Sequence, residues 1–127
     1  GQWRDRGTWS GPAGDTGLGR LSSPGRLIGT LAGLGEQLFR RLSGNEVADF
    51  LFSRRDENMP WMSLVGVVAN DAAPRSGTYA GHERVAIGTG TEHQVHRDGY
   101  LYAFANDMWI GYGDNDGCVR LTVTRTR

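Results

Sequence analysis

The chain has 127 residues, enough for one domain around a single core. Fourteen basic residues, all Arg, balance 14 acidic ones, so no net field draws the protein to nucleic acid or an anionic membrane. One cysteine excludes an internal disulfide, no apolar run reaches membrane-spanning length, and no signal peptide is visible. The 20 glycines fit a β fold with many tight turns. The first residue is Gly1 rather than Met, and the chain is read as a domain cut from a longer protein in preference to a processed free one.

Residues 1–23 are polar and Gly-rich, and Trp3 and Trp9 are expected to anchor them as a loose arm on the core. The same indoles also suit stacking on the apolar faces of sugar rings. Leu18 to Leu21 reads as a short strand and Pro24-Gly25 as a turn. Leu27, Leu31, Leu34, Leu38 and Leu42 recur at helical spacing, although Gly29, Gly33 and Gly35 each cost roughly 1 kcal/mol relative to Ala. Gly44 is placed to end that helix, and Asn45 to cap a second one that buries Val47, Phe50 and Leu51. The helical stretch therefore covers residues 31–52 or so. Arg54-Arg55-Asp56-Glu57 is expected as a solvated connector.

Met62 to Ala69 is almost wholly apolar and reads as a strand covered on both faces. Residues 70–81 form a loop, in which Asn70-Asp71 fits an Asx turn better than a metal pair. His82 to Ile87 and Thr91 to His96 read as strands joined by Gly88-Thr89-Gly90. His93 and His96 are three apart, which on a strand sets them on opposite faces. They and His82 are expected as exposed histidines rather than a zinc site. Tyr100 to Ala105 and Cys118 to Thr124 alternate their side chains with a period of two, as strands do, and Cys118 reads as a small buried apolar group.

Between these last two strands lies Asn106-Asp107-Met108-Trp109-Ile110-Gly111-Tyr112-Gly113-Asp114-Asn115-Asp116-Gly117. Three carboxylates, two carboxamides and three glycines in one short loop are the hard oxygen ligands and bendable backbone that Ca²⁺ requires. The same residues also make ordinary turns, because Gly, Asn and Asp tolerate positive φ.

The pattern Asn-Asp, four residues, Tyr-Gly-Asp-Asn, one residue, Gly resembles the calcium loop of the soluble galactophilic bacterial lectins of the PA-I type. The resemblance implies an all-β, jelly-roll β-sandwich (galactose-binding-like) over residues 1–127, here with a short helical insertion. It implies Ca²⁺ held by Asp107, the Gly111 carbonyl, Asp114 and Asn115, with two sugar hydroxyls completing the coordination. Asp107 and Asp114 would also accept hydrogen bonds from the sugar, and Met108 and Trp109 would form an apolar wall. The family's sugar-contacting His and Gln are missing between Leu38 and Trp61; the resemblance sets Asp49 and Phe52 where those contacts would be.

No Gly-x-Ser-x-Gly elbow, His-Glu-x-x-His motif or phosphate loop occurs, so no enzyme is expected. The expectation is a calcium-dependent carbohydrate-binding module for galactose-type sugars, bacterial and secreted, working as a homo-oligomer or as a domain of a larger chain. The alternative is a non-catalytic accessory domain of a larger secreted lipase or toxin that binds a protein or lipid surface. Neither reading has a nucleic-acid partner or an integral membrane segment.

Overall fold

The computed structural model of the protein describes residues 1–15, 31, 34, 55–56, 58–69, 82–108 and 110–126. Within them the chain is all-β, with seven strands in two antiparallel sheets. β1 (Gln2–Asp5) and β2 (Thr8–Ser10) form a hairpin, and β7 (Asn115–Cys118) pairs with the other edge of β1. The second sheet is built around β4 (Trp61–Ala69), flanked by β3 (Ala13–Asp15), β5 (Glu83–Ala86) and β6 (Tyr100–Ala105).

β4 is central because its side chains are apolar on both faces, and Trp61, Met62 and Val65 are fully buried. β3 and β5 share one of its edges: Leu64 donates its N–H to Pro12, and its carbonyl accepts from Ile87 and Gly88. β6 takes the other edge along its whole length, from Leu64↔Ala105 to Ala69↔Tyr100. The core cluster is Leu64, Val85 and Ile87, against which Trp3, Val119 and Leu121 pack. Trp3 therefore brings the first sheet onto the second, and its Nε1–H donates to the Met62 carbonyl at 2.8 Å.

The strands read at Met62, His82 and Tyr100 are present within a residue at each end. Others moved. Residues 1–15 are three strands instead of a loose arm, and Trp9 is 54% exposed rather than anchored. The final strand is Asn115–Cys118, not Cys118–Thr124, because β1 offers its ladder only to that stretch. Val119 and Leu121 still turn inward, whereas Val123 and Cys118 are exposed. Thr91 to His96 has no strand partner among the described residues. Asp56, expected in solvent, is buried and takes an ion pair from Arg84 at 3.3 Å. Leu31 and Leu34 are helical, as expected. The rest of the helical stretch, Asp49, Trp109 and Asn70-Asp71 lie outside the described residues.

Candidate functional site

The loop from Asn106 to Asn115 leaves the end of β6 and returns as β7, so it bridges the two sheets. Its first residue fixes its base. Asn106 is fully buried; its Oδ1 accepts the Asp56 N–H at 2.8 Å. Its Nδ2 lies 2.7, 3.0 and 3.1 Å from the carbonyls of Asp56, Met59 and Pro60. One carboxamide thus clamps the connector before β4 to the end of β6. Tyr112 adds a second tie by donating its hydroxyl to the Ala105 carbonyl.

Asp107 is 1% exposed. Its Oδ1 accepts the Met108 N–H at 2.8 Å, and its Oδ2 accepts from Asn115 Nδ2 at 2.9 Å. Burial raises its pKa above the usual carboxylate value; the two donors lower it, and the nearby charges of Asp5 and Asp114 raise it further. Gly111 is pressed against this carboxylate. A Cβ there would stand 2.8 Å from Oδ2 and 3.0 Å from Oδ1. Its backbone is right-handed (φ −83°), so glycine is needed for space rather than for conformation. Gly111 donates its N–H to Met108 and opens the 3-10 turn Tyr112–Asp114.

Asn115 completes the inner group. Its Nδ2 is used by Asp107, while its Oδ1 is buried with no hydrogen-bond partner among the described residues. A buried acceptor without a donor costs about 1–3 kcal/mol. Asp114 sits apart from the inner group. Its Oδ2 accepts from Arg6 Nε at 2.7 Å. Arg6 reaches it from the β1–β2 turn, where Arg6 (φ 46°) and Gly7 (φ 89°) both occupy the left-handed region that a two-residue hairpin loop demands. Asp116 faces solvent and pairs with Arg4 at 3.0 Å.

The structure therefore gathers Asp107, Gly111 and Asn115, keeps Met108 buried beside them, and turns Asp114 toward Arg6. Asp107 and the Asn115 Oδ1 offer hard oxygen donors of the kind Ca²⁺ takes, whereas the Gly111 carbonyl accepts the Asp114 N–H at 3.3 Å and the Asp114 carboxylate pairs with Arg6. Among the described residues no three His, Cys, Asp or Glu side chains are grouped to hold a metal. Sequence reasoning missed Asp5 and Arg6, which bear on the site across the sheet: Asp5 lies opposite Asn115 in the β1–β7 ladder. The only signal was their place in a segment read as an arm. Among the described residues no helix is long and apolar enough to cross a membrane. No family model matches this chain, and comparison with curated proteins and with solved structures gives no significant match.

Proposed function

We propose that this domain is a non-catalytic, calcium-dependent carbohydrate-binding module of the jelly-roll type, with galactose-type sugars as the ligand class. The observation that carries the reading is the buried, unpartnered Oδ1 of Asn115 beside the Asp107 carboxylate. In the resemblance to the PA-I type lectins these two residues are ligands of the ion. Gly111 supports it by leaving room against Asp107 where any side chain would intrude. Asp107, Asn115 and the Gly111 carbonyl would hold Ca²⁺, and Asp114 would join them by exchanging Arg6 for the ion. The ion would supply direct ligation of vicinal sugar hydroxyls, with Met108 and Trp109 as the apolar wall.

A second reading is supported by a different surface. Tyr100, Leu101 and Tyr102 are 73%, 44% and 60% exposed on β6, whose pairing among the described residues is to β4 alone. An exposed aromatic edge strand suits an accessory domain that binds a protein or lipid surface.

Calorimetry separates the two. Chelator-stripped protein is titrated with Ca²⁺, then with galactose and a glycan panel. Calcium uptake followed by sugar heat supports the lectin reading, and Asp107→Ala should abolish both while the domain stays folded. Uptake without sugar binding favours the accessory domain. A folded chain that takes up no calcium makes the loop an ordinary turn.

A further inference from the structure

We propose that Glu83, His93 and His96 form a proton-operated clasp that fastens the segment between β5 and β6, tight in mildly acidic solution and slack above neutrality. The inference stands apart from the calcium loop and shares no residue with it.

The geometry is a convergence of two rings on one carboxylate. His93 Nε2 lies 2.6 Å and His96 Nδ1 2.9 Å from the same oxygen, Glu83 Oε1. The His96 backbone N–H donates to Glu83 Oε2 at 3.2 Å. The rings meet edge to face, with centroids 6.3 Å apart. The sequence spacing would oppose these rings on a strand, but residues 91–99 are not a strand, and both rings curl back to β5.

The segment has little else to hold it. Every residue from Thr91 to Gly99 is exposed. Among the described residues, the hydrogen bonds that Thr91 to Gly99 make to the rest of the domain all end on Glu83. Gly88 to Gly90, which precede it, line a cleft of about 320 Å³ with Ala13, Pro60 and Leu64, and are held separately by the Gly88 N–H on the Leu64 carbonyl.

The surroundings leave the two histidines as the partners of Glu83. Val68, opposite Glu83 on β4, is apolar, and Arg84 turns away to Asp56. Among the described residues Glu92, Arg97 and Asp98 of the segment form no ion pair, and His82 makes no hydrogen bond or ion pair with the clasp. Hydrogen bonds from His96, against some opposing burial, hold the Glu83 pKa down to about 2, with His93 adding to the effect. The carboxylate therefore stays charged wherever imidazole titrates. A neutral imidazole has a single N–H to give, and each ring must spend it on Glu83. Taking a proton from solvent turns each contact into a charge-assisted one, about twice as strong.

The test is amide hydrogen exchange by NMR, corrected for intrinsic rates, at about pH 5 and about pH 8 on the whole chain. The His96 amide should be roughly ten-fold more protected at the lower pH. Glu83→Gln should erase the difference while amides of β4 stay protected, and His82→Ala should retain it. If Glu83→Gln unfolds the domain, His93→Gln/His96→Gln serves in its place and should likewise erase the response. Equal protection at both pH values in the native chain overturns the proposal. So does a response that survives loss of the carboxylate or of both rings.

Discussion

Asn115 gives its Nδ2 to the Asp107 carboxylate at 2.9 Å and leaves its own Oδ1 buried and unanswered. The pair joins the first residue of β7 to the loop that follows β6. It therefore ties the two sheets together through one hydrogen bond to a charged acceptor. Asn115→Ala removes that donor from a buried carboxylate, and is expected to destabilise the domain by about 1–3 kcal/mol near neutral pH. Urea denaturation with an unchanged m-value checks this. If calcium binds here, the variant should also lose most of the stabilisation that added Ca²⁺ gives the native chain.

Asp107 has its pKa raised in the folded state, chiefly by burial. A raised carboxyl pKa means that folding favours the protonated form. That contribution is fully present below the ordinary aspartate value, and is lost as pH rises through the folded value. Calcium-free Asp107→Asn is therefore expected to gain stability relative to the native chain as pH rises from about 3 to 7. Denaturation curves at several pH values in chelator measure the trend; a constant difference across that range would contradict it.

Gly111→Ala places a methyl group 2.8 Å from Asp107 Oδ2 and 2.9 Å from Met108 Cγ. Since φ is negative there, the penalty is one of crowding. The expected loss is about 1–3 kcal/mol, read as a lower thermal midpoint. Gly113→Ala, where a Cβ meets nothing within 4 Å, is the matched control and should change little.

Asn106→Asp keeps the shape of the clamp but replaces the amide that faces the carbonyls of Asp56, Met59 and Pro60. A carboxylate there is repelled by all three, and a buried polar group stripped of its partners is among the largest single-residue effects. The variant should be destabilised by about 3 kcal/mol or more at neutral pH, and less below about pH 4, where the carboxyl is protonated and donates once. Stability measured at both pH values checks the sign.

The amino-acid sequence by itself determined β4 and β6. Trp61 to Ala69 is almost wholly apolar and buried on both faces, and the period of two in Tyr100 to Ala105 marks a strand, although both faces of its first four residues are exposed. It also determined that the Asn106 to Gly117 loop is dense in oxygen ligands and glycine. Only the tertiary structure decided where the last strand lies. Cys118 to Thr124 has the better strand pattern, yet the ladder forms one segment earlier, because hydrogen bonds follow β1 rather than propensity. The same holds for Thr91 to His96, which reads as a strand but has no strand partner among the described residues, and whose histidines turn to Glu83 instead. The arrangement of the loop's carboxylates was also out of reach of the sequence. Arg6 lies far from Asp114 along the chain, and only the β1–β2 turn sets the two 2.7 Å apart. Periodicity reports which face a side chain takes; which charges and edges meet depends on long-range pairing that no local window contains.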